Sequence, residues 1–260
     1  MRTWVATAAA VTLLTGSLVA CGHAERPPEP SVATGPAPVP TAAAVAPDPR
    51  IGAIFLGGGD THVCTASVLH SSTGDLVLTA EHCLADGIEA DFVPAFQGEA
   101  DSSAMWRVTA VYLDPRWVAD EDPLADYAIV RVSRAGSAPI EAQVGSALSL
   151  GATPAPGSVV SVTGYPLGVG GGPVGCRGTI GVADGGYPSL LCGGLVDGTS
   201  GAPWISESTV TGVTGGFDGG GCDADVSYSA PFDDNTSRLL ARAQAGGPGD
   251  AAPNTLMTDC

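Results

Sequence analysis

Three residues of this sequence have side chains suited to nucleophilic catalysis. Ser200 lies in the segment Gly-Thr-Ser-Gly-Ala-Pro-Trp (198–204), where the flanking glycines let a reacting carbonyl approach the backbone closely. A serine hydroxyl is a weak nucleophile at neutral pH, so it needs a base and a group that orients the base. His82, within Thr-Ala-Glu-His-Cys, and Asp126, which precedes an apolar run, could fill these roles. We therefore treat His82, Asp126 and Ser200, in that chain order, as candidate catalytic residues.

The composition favours a fold made of many short strands. The 260 residues include 37 Gly and 21 Pro, and only 5% of them are aromatic. Such a chain is typical of strands linked by turns rather than of helices packed on bulky side chains, so the expected class is all-β. The formal net charge of −17 would repel phosphate groups, which argues against a nucleic-acid partner. Acidity of this kind is sufficiently explained by solubility.

The first 49 residues have the composition of targeting and tethering segments. Residues 1–20 carry Arg2 and then a long apolar run, as a signal peptide does. Their end, Leu-Val-Ala-Cys-Gly, resembles a bacterial lipobox, so Cys21 is the expected lipidation site, with anchoring to the outer face of the bacterial cell membrane. A plain secreted protein in which Cys21 is incidental is the alternative. Residues 22–49 are rich in Pro and Ala, and we expect them to form a tether.

Setting Cys21 aside leaves six cysteines. An even number favours full pairing in an oxidising compartment. His62 and Cys64 are two residues apart and could share a metal ion, but a strand residue beside a disulfide is the preferred interpretation. We expect no metal and no cofactor.

Apolar runs separated by Gly, Asp or Pro predict two series of strands. The first series comprises residues 51–56, 66–69, 75–78, 106–113 and 127–132, and the second comprises residues 159–163, 178–182, 190–192, 202–205 and 210–214. The Gly- and Pro-rich residues 151–157 mark a boundary between them. We therefore expect an N-terminal β module at 50–150, a C-terminal module at 151–244 that ends in a short helix (235–244), and a loose tail at 245–260.

Four motifs together resemble those of trypsin-like (chymotrypsin-fold) serine peptidases, particularly the short bacterial members. They are Cys-Thr-Ala-Ser-Val-Leu from Cys64, Leu-Thr-Ala-Glu-His-Cys around His82, Asp-Tyr-Ala-Ile from Asp126, and Gly-Thr-Ser-Gly-Ala-Pro around Ser200. The resemblance covers residues 51–232. It implies two antiparallel β-barrels with the active site between them.

The resemblance also implies a role for each catalytic candidate. His82 would act as general base, Asp126 would orient it, and Ser200 would attack the peptide carbonyl. The backbone N–H groups of Gly198 and Ser200 would form the oxyanion hole. The implied function is an exported serine endopeptidase that acts on a protein or peptide substrate. We expect it to be a monomer.

Family resemblance suggests a pairing for the first two of the six cysteines. It implies a disulfide between Cys64 and Cys83, which would fix the backbone at His82. The remaining four cysteines allow three connectivities. We expect Cys176 to pair with Cys192, because they flank a predicted hairpin. That choice leaves Cys222 and Cys260 as a pair or as free thiols.

The substrate pocket can be placed only by the same resemblance. Gly194 falls at the position of the pocket base, and Thr214, Gly215 and Gly216 fall along one wall. None of these residues carries a charge. The expected substrate residue before the scissile bond, P1, is therefore neutral.

Three features of the sequence depart from the family pattern or compete with it. Thr199 replaces the Asp that receives a new amino terminus in activated trypsin-type zymogens, so we do not interpret Arg-Ile at 50–51 as an activation site. Glu81 replaces a small residue beside His82; it could raise the imidazole pKa, but we expect it to face solvent. The acidic residues 120–122 lie near Asp126 and are expected to form a solvated loop.

Two other functional classes remain to be compared with a peptidase. The altered nucleophile motif and Glu81 are compatible with an inactive binding module of the same fold. An α/β-hydrolase esterase would place its serine between a strand and a helix and its histidine last in the chain. Here the surroundings of Ser200 are β-like and His82 comes first, which argues against that class.

Overall fold

The computed structural model describes residues 38–99, 101–221 and 225–253. The signal-like segment, Cys21, Cys222 and Cys260 lie outside these residues. In chain order the strands are β1 (Ala43–Ala44), β2 (Ile51–Leu56), β3 (Thr61–Leu69), β4 (Leu76–Thr79), β5 (Ala90–Pro94), β6 (Trp106–Leu113), β7 (Ala128–Ser133), β8 (Ser149–Leu150), β9 (Val159–Gly164), β10 (Gly168–Val169), β11 (Val174–Val182), β12 (Pro188–Leu191), β13 (Pro203–Ser206), β14 (Thr209–Val213) and β15 (Val226–Tyr228).

Helices are short and few among these residues. The α-helices are α1 (Pro115–Asp120), α2 (Ile140–Val144) and α3 (Asp234–Ala245). The 3₁₀-helices span Glu81–Cys83, Ser102–Ala104, Pro123–Ala125, Asp184–Gly186 and Phe217–Gly220. No helix of the described residues has the length and apolar character needed to cross a bilayer.

The first sheet has the strand order β10-β3-β2-β5-β6-β7-β4, and β3 also pairs with β4, so the sheet closes on itself. Every pairing in it is antiparallel. Gly52 lies at a crowded point of β2, where a Cβ atom would come within 2.1 Å of the Val93 carbonyl oxygen. The absence of a side chain at this position therefore allows β2 and β5 to approach closely.

The second sheet has the order β15-β12-β11-β9-β13-β14-β8. Its β9 shows the alternation of a strand with one buried face, since Val160 and Val162 are buried while Val159 and Ser161 are exposed. The expected all-β class with two barrel-like sheets and a short C-terminal helix is confirmed.

A shared apolar core joins the two sheets. Leu69 and Tyr127 of the first half pack in one cluster with Val213, Phe232 and Leu239 of the second half. Helix α3 contributes to this core through its buried face. Its first turn is capped by the Asp233 side chain, which accepts a hydrogen bond from the Asn235 N–H. This core therefore holds the two halves of the chain together.

Two segments expected to be unstructured are packed in part. β1, within the predicted tether, pairs with β11. In the predicted loose tail, the Asp250 N–H donates to the Val111 carbonyl at 2.7 Å, and Ala252 is buried in the core of the first sheet. Their Pro-, Gly- and Ala-rich composition provides little apolar periodicity, so these contacts come from the strand edges already present in the fold.

Candidate active site

Asp126 lies in a fully buried pocket of hydrogen-bond donors. Its Oδ1 accepts from the N–H groups of Glu81 at 2.8 Å and His82 at 3.1 Å, and its Oδ2 accepts from Gly216 N–H at 2.6 Å. Burial by itself raises the pKa of Asp126, but the charge and hydrogen bond of His82 and the backbone donors together lower it. The group is therefore an ionised carboxylate inside the protein.

The His82 ring is oriented by that carboxylate. His82 lies in a 3₁₀-helix after β4, and its Nδ1 is 2.7 Å from Asp126 Oδ2. With Nδ1–H donated to Asp126, Nε2 is the acceptor nitrogen. Burial lowers the pKa of His82, but the charge and hydrogen bond of Asp126 outweigh that effect and raise it. The pair is arranged to stabilise an imidazolium.

The loop that carries Ser200 is held against the first sheet. The Thr65 N–H donates to the Ser200 carbonyl at 2.8 Å, and the Thr65 hydroxyl donates to the Gly198 carbonyl at 3.0 Å. A Cβ atom at Gly201 would lie 2.2 Å from the Thr65 carbonyl oxygen, so glycine is required there for the loop to approach β3.

Ser200 and His82 line the same cavity, whose volume is about 250 Å³. Within the described residues no hydrogen bond joins His82 Nε2 to the Ser200 hydroxyl. Such bonds are often long without substrate and shorten in the bound complex. The structure thus brings Ser200, His82 and Asp126 to one site from both halves of the chain.

The backbone around Ser200 presents two unused donors. Thr199 N–H donates to Val196, Gly201 N–H to Thr214, and Ala202 N–H to Thr199. Within the described chain the N–H groups of Gly198 and Ser200, by contrast, have no acceptor. Gly198 has a φ of +87°, which glycine adopts readily. This arrangement can donate two hydrogen bonds to an oxyanion in the cavity.

Comparisons with known proteins agree with this geometry. A family model described as a trypsin-like peptidase domain matches residues 64–213, which is more than half of the chain. The chain belongs to this family. A comparison with curated proteins finds no match.

Solved structures similar to this trypsin-like peptidase domain support the fold. The protease Anisep from Arthrobacter nicotinovorans is 22% identical, with a TM-score of 0.69 over 79% of this chain and 100% of that one. A thermostable serine protease, AL20, from an extremophilic microorganism is 22% identical, with a TM-score of 0.66 over 76% and 98%. Human heparin binding protein is 15% identical, with a TM-score of 0.61 over 82% and 100%.

The lining of the cavity beside Ser200 differs from the predicted pocket. Of the four pocket residues expected from the sequence, Thr214 lines the cavity. Gly194, Gly215 and Gly216 are not among the lining residues; Gly216 instead donates to Asp126. The lining also includes apolar and glycine residues that the sequence analysis missed, namely Leu56, Val63, Leu167, Leu195, Val196 and Gly219, Gly220, Gly221.

Two carboxylates also line this cavity, in contrast to the uncharged pocket that we expected. Asp197 and Asp218 are both exposed at its surface. Asp197 directly precedes Gly198, so its position could have been inferred from the nucleophile motif. Asp218 lies in an irregular glycine-rich loop, where no sequence pattern predicts which way a side chain points.

Thr199, directly before Ser200, makes local hydrogen bonds. Its side chain is buried, and its hydroxyl and its N–H both donate to the Val196 carbonyl, at 2.7 Å and 3.0 Å. Ile51 is buried within β2, and its N–H donates to Asp48. The residues before Ser200 are therefore held by a turn of neutral hydrogen bonds.

Both expected disulfides are present in the trypsin-like domain. Cys64 pairs with Cys83, directly after His82, and Cys176 pairs with Cys192. Cys64, Cys83 and His82 lie close enough to resemble a metal site, but the two sulfur atoms are bonded to each other and cannot act as thiolate ligands. His62, the other metal candidate, directs Nε2 to the Gly170 carbonyl at 2.8 Å.

Glu81 was expected to face solvent, and this expectation is wrong. The residue is only 1% exposed. Burial, followed by the negative charges of Asp126 and Glu121, raises the pKa of Glu81 to about 9. The Trp117 indole lies near the carboxyl but outside hydrogen-bond geometry, since among the described residues neither Glu81 Oε1 nor Trp117 Nε1 has a partner. This raised pKa keeps the Glu81 carboxyl protonated at neutral pH, beside Asp126 and His82.

The substitution Glu81→Gln is expected to stabilise the protein increasingly as pH rises from about 4.5 to about 9. In this window the folded state holds a proton that the unfolded state releases, so the wild type loses stability with rising pH. Glutamine does not ionise and avoids this loss. We expect Tm to rise by about 5 °C or more at pH 9 and to change little at pH 4.

Thermal unfolding followed by circular dichroism from pH 4 to pH 9 measures this effect. Glu207→Gln is the matched control, because Glu207 is exposed and the same substitution should give no pH-dependent gain. A constant difference between Glu81→Gln and wild type at every pH would contradict the protonated state of Glu81.

Proposed function

We propose that this chain is an exported serine endopeptidase that acts through Ser200, His82 and Asp126. The single observation that carries the proposal is the buried contact of 2.7 Å between Asp126 and His82 Nδ1, at a cavity that also contains Ser200. Membership of the trypsin-like family supports the same conclusion.

The proposed reaction follows from the position of each proton. His82 Nε2 removes the proton of the Ser200 hydroxyl as its oxygen attacks the peptide carbonyl. The N–H groups of Gly198 and Ser200 stabilise the oxyanion that forms. The imidazolium, stabilised by Asp126, then protonates the leaving amine, and an acyl-enzyme remains on Ser200. Water, deprotonated by His82, hydrolyses this ester.

Export is supported by the two disulfides, which form and persist in oxidising compartments. The signal-like segment and Cys21 lie outside the described residues, so a lipid anchor on Cys21 is part of the proposal. Mass spectrometry of the membrane fraction tests it, because an unmodified soluble protein would contradict anchoring.

A catalytically inactive binding module is the second candidate. One similar structure is human heparin binding protein, so this fold is compatible with binding. The net charge of −17 opposes binding of a polyanion by this chain. We therefore favour the peptidase and a peptide substrate.

A fluorophosphonate probe separates the two candidates. A peptidase should be labelled at Ser200, and Ser200→Ala should abolish both labelling and the cleavage of a peptide library. Folded wild-type protein that is not labelled would support the binding module. Equal cleavage by wild type and Ser200→Ala would show that the activity comes from a contaminant.

A further inference from the structure

Residues 40–45, which we call the strap, run along the second sheet beside the segment that leads to the substrate cavity. The Gly193 N–H donates to the Pro40 carbonyl at 2.7 Å, and the Ala42 N–H donates to the Gly193 carbonyl, also at 2.7 Å. The strap therefore satisfies both backbone polar groups of Gly193.

The other end of the strap is fixed to β11. Ala43 and Ala44 pair with Gly175 and Val174 in antiparallel register, and the Val45 N–H donates to the Pro173 carbonyl at 3.1 Å. A Cβ atom at position 175 would lie 2.8 Å from Val45 Cγ1, so this contact is close. The strap thus links β11 to the segment at Gly193.

Gly193 is two residues from the cavity wall. Gly194, at a φ of +80°, lies against the strap, since a Cβ atom there would be 3.6 Å from Thr41 Cγ2. The next residue, Leu195, lines the cavity, and Val196 accepts the two hydrogen bonds from Thr199 before Ser200. A displacement of Gly193 would therefore move both the wall and the start of the nucleophile loop.

Thr199, in the same region, carries no charge. Among the described residues its N–H and hydroxyl donate to Val196 and its carbonyl accepts from Ala202, so its hydrogen bonds stay within one turn. The disulfide between Cys176 and Cys192 joins β11 to the residue before Gly193. The strap joins the same two segments a second time, because it is hydrogen-bonded both to β11 and to Gly193.

We propose that the strap is a positioning segment that holds Gly193, and through it the cavity wall that begins at Leu195, in the shape that accepts a substrate side chain. This inference rests on the proposed peptidase function. It predicts that loss of the strap contacts slows the hydrolysis of substrates whose side chain fills the cavity. Hydrolysis of a substrate whose acyl group has no side chain should change little.

The test compares two esters in the full-length protein. N-acetyl-leucine p-nitrophenyl ester places an apolar side chain against Leu195, whereas p-nitrophenyl acetate has no side chain to place. Ala42→Pro removes the N–H that binds Gly193, and Val45→Pro removes the N–H that binds Pro173. Ala46→Pro is the matched control, because in the described structure the Ala46 N–H has no acceptor.

We expect Ala42→Pro and Val45→Pro to lower kcat/KM for the leucine ester by about 10- to 100-fold, because a displaced cavity wall misplaces the bound substrate. The same variants should change kcat/KM for p-nitrophenyl acetate by less than about threefold. Ala46→Pro should match wild type with both esters. Tm is measured for each variant, and a Val45→Pro protein that folds suffices for the test if Ala42→Pro does not.

Three results would overturn the strap proposal: both esters falling by the same factor, neither falling, or Ala46→Pro falling as far as the strap variants. Failure of the peptidase function itself looks different. In that case wild type and Ser200→Ala would hydrolyse the leucine ester at the same rate.

Discussion

Replacing Asp126 by Asn is expected to lower kcat by about 10⁴-fold, the effect of losing the orienting carboxylate of such a triad. The Asn amide can present N–H groups to His82 Nδ1, which favours the tautomer with its proton on Nε2. His82 would then be unable to accept the Ser200 proton. Asp126 Oδ2 also accepts a hydrogen bond from the Gly216 N–H, which an amide NH₂ group at this position cannot accept. We therefore expect the free energy of unfolding to fall by about 1 to 3 kcal/mol.

The pH dependence of kcat/KM gives a second measurement on the same variant. His82 must be neutral to act as base, so activity is lost as pH falls through the pKa of His82. Asp126 raises that pKa above its ordinary value, and Asn removes the charge. The residual activity of Asp126→Asn should therefore persist to lower pH than that of wild type.

Asp120→Asn is the control for the loss of an acid close in sequence, because Asp120 is exposed and, among the described residues, no hydrogen bond joins it to His82. It should retain wild-type kcat and the wild-type pH profile. A folded Asp126→Asn protein with nearly full activity would exclude the proposed triad.

Gly198→Ala is expected to lower kcat by about 10²- to 10³-fold, the effect of losing one oxyanion donor. The new Cβ atom would lie 2.1 Å from the Leu167 backbone nitrogen, and the positive φ disfavours alanine. The backbone must shift, and the Gly198 N–H would no longer point to the same place. Because this donor acts on the developing negative charge, KM should change less than kcat.

Gly171→Ala is the control that separates the steric clash with Leu167 from the cost of placing alanine at a positive φ. Gly171 has a φ of +90°, and a Cβ atom there has nothing within 4 Å. The Gly171→Ala variant should be slightly less stable than wild type and should have an unchanged kcat. Steady-state kinetics on a peptide substrate measures kcat for both variants. If both variants lose kcat equally, the oxyanion role of Gly198 is wrong.

Much of the fold follows from local patterns in the chain. Ile51–Leu56 and Trp106–Leu113 have the predicted bounds, because apolar runs between turn residues have few alternatives to a buried strand. The approach of His82 to Asp126 could also be anticipated, since four motifs in the family order place these residues at neighbouring strand ends. The family resemblance also predicted the Cys64–Cys83 disulfide, which the structure contains.

The sequence alone determined the residue types, the family and several strands, whereas β5 (Ala90–Pro94), β15 (Val226–Tyr228), burial and distant contacts were decided by tertiary structure. The sequence led us to expect Glu81 at the surface, and only the tertiary structure shows that its carboxyl group is buried and has a raised pKa. The strap has no strand pattern of its own, and it is ordered because β11 and Gly193 offer it hydrogen-bond partners. Such features depend on which surfaces the fold brings together, and no local pattern encodes that.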